Sequence, residues 1–210
     1  MQFPFFLLCL LVVFGLSHQI CSASDDKNEI FEGVKKDDTT AIKSAVKNDP
    51  STLESIGPGG QTPLLHAVLT GKLESVKTLL DLGANTAATE TDGYNVLHAA
   101  GFQGRSEILE VLLQHFANQK EAGGFVLDPS TDKHKDGFYP IHRSCWGREP
   151  RHTETVKVFL TNNVHSQIAA DNGKTCAEMT NNEGTKKLIS ETVISELQNS
   201  MGNMDKEDEL

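Results

Sequence analysis

Cysteine is scarce in this 210-residue chain: there are four, and Cys9 and Cys21 fall within the first 21 positions. A disulfide-dense scaffold is therefore excluded. No Cys-x-x-Cys pair occurs, and zinc sites favour such tight spacings. Positive charge is also short, with 19 Lys and Arg against 29 Asp and Glu, a net charge of -10. That balance argues against nucleic acid or an anionic membrane as the main partner. The chain has no Asn-x-Ser/Thr sequon, so N-glycosylation is not expected. Only 38% of residues are hydrophobic, which suits a thin, elongated fold better than a thick core. The apolar run Phe3–Leu16 is shorter than the roughly 20 residues that a membrane-spanning helix needs.

What that run does fit is a secretory leader. Ser17-His18-Gln19 follows it, and the small residues Cys21 and Ala23 stand where signal peptidase reads. Residues 1–23 are expected to be a signal peptide cleaved after Ala23, although no Lys or Arg precedes the apolar run. Cleavage after Ser24 is the neighbouring alternative. The chain closes with Glu207-Asp208-Glu209-Leu210. The last three residues match the signal that returns luminal proteins to the endoplasmic reticulum, while Glu207 stands where Lys or His is usual. Residence in the lumen of the endoplasmic reticulum is expected, without stable membrane insertion once the leader is removed. A secreted protein whose terminal residues match by coincidence is the alternative.

The middle of the chain repeats. Gly60-Gln61-Thr62-Pro63-Leu64-Leu65-His66-Ala67 is followed 33 residues on by Gly93-Tyr94-Asn95-Val96-Leu97-His98-Ala99-Ala100. A third copy starts at Gly137-Phe138-Tyr139-Pro140-Ile141-His142, and a partial fourth at Asp171-Asn172-Gly173-Lys174-Thr175-Cys176. Pro at a first helical position lacks only an N–H that would be orphaned anyway. Val76, Leu79 and Leu80, echoed by Ile108, Leu112 and Leu113, form one apolar helix face. Ala67, Ala99, Ala100 and Ser144 let neighbouring helices approach closely. Gly71 and Gly83 mark helix ends that need left-handed backbone.

This pattern resembles the ankyrin repeat, with its Thr-Pro-Leu-His-x-Ala signature and 33-residue period. Leu65, Tyr139 and Cys176 depart from the signature, and the second-to-third spacing stretches to 44 residues. The resemblance implies an all-α repeat solenoid of stacked helix-turn-helix units with hairpin-like loops. About four units are expected over 57–188. Capping helices are expected over 24–56, and a cap helix with an acidic tail over 189–210. Residues 119–135 are expected to form a long loop, and no ordered structure is expected beyond Gln198. One unit cannot bury its apolar face alone, so several must stack.

His142, Cys145 and His152, with His134 nearby, invite a metal or nucleophile reading. In the repeat frame, however, His142 is a hydrogen-bonding structural residue and Cys145 a packing residue. Asn172-Gly173-Lys174-Thr175 resembles the end of a phosphate loop, but Ile168 stands where its first Gly must be. Cys145 and Cys176 differ by five repeat positions, about 7.5 Å along a helix. Bridged cysteines keep their Cα atoms within about 7 Å, so two free thiols are expected.

Alignment of the units places Gln61, Tyr94 and Phe138 at one hairpin position, and Leu69, Phe102 and Trp146 at one first-helix position. Large aromatics on a rigid concave face are common anchors of protein recognition. Leu69, Tyr94, Phe102, Phe138 and Trp146 are therefore the candidate partner-binding residues. Trp146 has the alternative of folding under the segment near Arg148 as core. Asp92, Asp136 and Asp171 near the hairpins would favour a partner with basic residues. The expected function is a non-catalytic protein-interaction scaffold of the secretory pathway, needing no cofactor or metal. A Cys/His-based redox or hydrolytic enzyme is the alternative.

Overall fold

A computed structural model describes residues 29–124 and 126–207. The leader expected over residues 1–23 and the terminal Asp208, Glu209 and Leu210 lie outside the described residues. Among the described residues, ten α-helices follow one another in five pairs: α1 (residues 29–36) with α2 (Thr39–Asn48), α3 (Pro63–Thr70) with α4 (Leu73–Asp81), α5 (Val96–Gln103) with α6 (Ser106–Glu121), α7 (Pro140–Cys145) with α8 (Pro150–Thr161), and α9 (Cys176–Met179) with α10 (Glu183–Glu207). The first helices of successive pairs pack on one another, α3 on α5, α5 on α7 and α7 on α9, while α2, α4, α6, α8 and α10 form a parallel outer row. Phe31 of α1 meets His66 of α3 edge-on, extending the inner row to the first pair. The result is an all-α repeat solenoid.

Local chemistry explains each unit's shape. Thr62 accepts from the Leu65 N–H at the start of α3, with Pro63 at the first helical position. Asn95 does the same for α5, and Glu178 reaches back to the Thr175 N–H at α9. Helices α3 and α5 stop at Gly71 (φ 75°) and Gly104 (φ 65°), left-handed conformations that a side chain would strain. The next unit then seals each stop. Arg105 donates to Leu69 O at 3.2 Å, and His152 meets Phe102 O at 3.3 Å, one repeat further on.

Hairpin geometry repeats with the same fidelity. Gly57 N donates to Gln61 O, Glu90 N to Tyr94 O, His134 N to Phe138 O, and Ala170 N to Lys174 O, at 2.9 to 3.1 Å. Between units, His142 donates from Nε2 to Ile168 O at 3.1 Å, its Nδ1 accepting from Tyr139 N–H. His98 likewise spans Asn95 Oδ1 (2.8 Å) and Phe138 O (3.3 Å). The signature histidines thus act as inter-repeat ties. Val76, Leu79, Leu80, Ile108, Leu112 and Leu113 are all buried between the two rows.

Three expectations need correction. First, Cys145 and Cys176 are joined as a disulfide, with Cα atoms 5.6 Å apart and both residues fully buried. Adjacent inner helices do not lie in register. The stack is staggered, so the sixth residue of one first helix meets the first residue of the next. Gly101 shows the same relation to Pro140, since a Cβ built on it would lie 2.5 Å from Pro140 O. An offset counted along a single axis therefore overstates the separation. Second, residues 119–121 are helical, because α6 runs on to Glu121 before the insertion begins. Leu127 of that insertion is buried and belongs to the core. Third, α10 continues past Gln198 to Glu207.

Candidate partner-binding surface

Tyr94 and Phe138 precede α5 and α7 on successive hairpins, while Phe102 lies in the last turn of α5 and Trp146 caps the end of α7. Phe102 is 51% and Trp146 42% exposed. Leu69, Tyr94 and Phe138 are half-buried. These residues gather in two adjoining clusters rather than one line. Phe138 and Trp146 meet edge-on at 5.1 Å. Between them and Tyr94 sits the guanidinium of Arg143, 4.7 Å from the Trp146 ring, 5.3 Å from Phe138 and 4.6 Å from Tyr94. All three distances suit cation–π contact.

Arg143 is a buried cation, 1% exposed, and it needs a counter-ion. Asp136 supplies one, accepting from Arg143 Nη2 through both oxygens at 2.7 Å. His134 completes the nest. Its Nδ1 lies 2.8 Å from Asp136 and 3.1 Å from Arg143, its Nε2 donates to Asp92 O, and its ring stacks on Tyr94. Partial burial would raise the Asp136 pKa, but the hydrogen bonds and charge of Arg143, with His134 beside it, outweigh it and hold the carboxyl at about 2. Burial pushes the Tyr94 phenol up. Burial also pushes His98 down to about 4.

Next to this nest, toward the amino-terminal end, is a groove of about 520 Å³ whose lining includes Leu69, Tyr94 and Phe102, with Glu90 and Asp92 beside them. Tyr94 thus belongs to both clusters. The groove exists because Ala99, at the repeat position of His66 and Arg143, carries almost no side chain. His66 also lines it. The His66 Nδ1 pairs with Gln61 Oε1 at 3.0 Å, while its Nε2 is buried with no hydrogen-bond partner. Burial, with Lys35 nearby, lowers the His66 pKa, so the ring is neutral at pH 7. No group of three or more His, Cys, Asp or Glu side chains able to hold a metal occurs among the described residues. No helix among them is long and apolar enough to cross a membrane.

Comparison with known proteins agrees with this geometry. Residues 30–123 match the family model for ankyrin repeats (3 copies). The chain is 35% identical over 96 residues to the Notch-regulated ankyrin repeat-containing protein of Homo sapiens, covering 44% of this chain and 84% of that protein. It is 36% identical over 97 residues to Notch-regulated ankyrin repeat-containing protein B of Danio rerio, covering 44% and 85%. The chain belongs to the ankyrin-repeat family. A match to Palmitoyltransferase AKR1 of Lachancea kluyveri, 35% identical over 81 residues, spans only 11% of that protein.

Within the ankyrin frame, the central residue of the surface is one that sequence reasoning passed over. Arg143 stands where the other units carry His66 and Ala99, and Asp136 lies seven residues upstream. A cation at a position otherwise small or uncharged was the available signal. The carboxylates also need sorting. Asp136 is committed to Arg143, and Asp171 pairs with Lys133. Both already have a cationic partner within the chain. Asp92 remains, joined by Glu90, which the ankyrin signature does not single out.

Proposed function

We propose that this ankyrin-repeat chain is a non-catalytic protein-interaction scaffold of the secretory pathway, binding its partner through the concave face. The observation that carries the reading is the exposure of Phe102 and Trp146 beside Tyr94 and Phe138 on rigid elements. Monomeric proteins seldom leave contiguous large aromatics in water without use. Rings held in place by the fold bring contact area with little ordering entropy. Luminal residence is supported by the leader at 1–23 and the Asp208-Glu209-Leu210 end. It is also supported by the buried Cys145–Cys176 bridge, since such bonds persist in oxidising compartments. Free acidic groups on this face favour a basic protein segment over nucleic acid.

Proximity labelling from the full chain in the lumen identifies the partner, and Trp146→Ala tests the surface. An interface Trp lost to Ala commonly costs about 2 kcal/mol or more, roughly thirtyfold in affinity. Retained capture by a folded Trp146→Ala protein would refute concave-face binding. Mass spectrometry should find Ser24 as the mature N-terminus, and a Gly added after Leu210 should increase secretion. Unchanged secretion would refute retrieval.

A further inference from the structure

The nest around Arg143 has an unfilled counterpart one repeat earlier. The hairpin and first-helix positions of the third unit map onto the second by a constant shift of 44 residues (136 to 92, 138 to 94, 146 to 102, 143 to 99). Thus Asp92 stands where Asp136 does, Tyr94 where Phe138 does, and Phe102 where Trp146 does. Carboxylate and aromatic rings are present in both units. The guanidinium is present in only one, because Ala99 replaces Arg143.

From this correspondence we infer that the groove beside Ala99 receives an arginine side chain of the partner protein, which supplies in trans what Arg143 supplies in cis. The inference rests on the concave-face reading of function and names the chemistry at its centre. Four observations bear on it. The groove lining includes two carboxylates, Glu90 and Asp92, and no Lys or Arg. Neither carboxylate makes an ion pair or side-chain hydrogen bond among the described residues, whereas Asp136 and Asp171 both do. Phe102 is half exposed at the groove, so a ring is available to a planar cation. His66, which also lines the groove, is a neutral imidazole and brings no competing positive charge. A guanidinium has five N–H donors in a planar fork, enough to serve both carboxylates while its face rests on a ring. The neighbouring unit shows that this fold holds an arginine in such surroundings.

The test uses the mature full chain and a capped Gly-Arg-Gly tripeptide, with the same tripeptide carrying citrulline, the neutral isostere, as its control. Aromatic NMR signals of Phe102 and Tyr94 report occupancy. The arginine peptide should shift both signals with millimolar affinity, and the citrulline peptide should not. Asp92→Asn and Glu90→Gln, both away from the buried core, should each weaken the response roughly three- to tenfold. Free L-arginine, whose own carboxylate faces Glu90 and Asp92, should bind less well than the capped peptide. Equal shifts from citrulline, an undiminished response in both variants, tighter binding of free arginine, or shifts confined to other parts of the acidic surface would each overturn the inference. No partner is needed for this titration. Its failure therefore leaves partner capture through Trp146 standing, and failure of the Trp146 test leaves a positive titration standing.

Discussion

Removing the Cys145–Cys176 bridge should loosen the carboxy-terminal end of the solenoid before anything else. The carboxy-terminal pair has little else to hold its inner helix. α9 has four residues, and Cys176 is the one buried among them. The bridge closes a loop of sequence separation 31. The chain-entropy relation for such a loop gives about 3.7 kcal/mol of stabilisation at 25 °C. Each unit of a solenoid is stabilised mainly by its neighbours, so the loss should concentrate where the bridge acts. Amide exchange in α9 and the docked part of α10 should accelerate by roughly two to three orders of magnitude in Cys145→Ala/Cys176→Ala. Exchange in α3 to α6 should change far less. The melting temperature should fall by roughly 7–15 °C for a chain of this size. Mild reduction of the wild-type protein should reproduce the double variant. Two free thiols on the purified, non-reduced mature protein, or unchanged exchange in α9 after reduction, would refute the reasoning.

Further expectations concern acid, packing and the exposed tryptophan. The His98 pKa lies at about 4 when folded, below its ordinary value, so the unfolded chain binds the extra proton first as pH falls. Stability should be full above about pH 6.5 and should have lost about 2 kcal/mol from this residue by pH 5. Denaturation at the two pH values measures it, and a His98→Asn protein with the same pH dependence would count against the assignment. Gly101→Ala should destabilise by roughly 1–3 kcal/mol despite better helix propensity, because the added methyl meets backbone at Pro140 O. A melting temperature at or above wild type would show that α5 and α7 can separate at little cost. Trp146→Ala should cost less folding stability than the 3–5 kcal/mol typical of a core Trp, since the residue is 42% exposed. A full core-sized loss in thermal denaturation would assign the ring to packing.

The regular part of this fold was open to reading from the residues because it rests on local, repeated chemistry. Thr62-Pro63, Gly71, Gly104 and the apolar spacing of α4 and α6 each carry their own conformational reason, and the overall pattern returns at the period. What escaped depends on how neighbouring units sit against each other. The Cys145–Cys176 bridge required the stagger between α7 and α9, which the spacing of residues within one helix does not contain. The nest around Arg143 required Tyr94 from one hairpin, Phe138 from the next and Asp136 beside it. Aligning equivalent positions gathered the aromatic rings but left out the cation among them. The carboxylates are sorted by the same kind of information. Asp92, Asp136 and Asp171 look alike in the repeat frame, and only their surroundings separate a committed group from a free one.

The placement of Arg143 has a consequence for how this face can diverge among descendants of the same chain. One buried guanidinium touches three of the rings that a partner would meet, so those rings do not vary independently. A change at position 143 would release Tyr94, Phe138 and Trp146 together and strand Asp136. A change at Phe102, which lies outside that nest, would alter one contact and leave the rest in place. Gradual tuning of affinity is thus open at Phe102 and at the groove carboxylates. A switch of partner that runs through position 143 would come as a single jump, with all three rings moving at once.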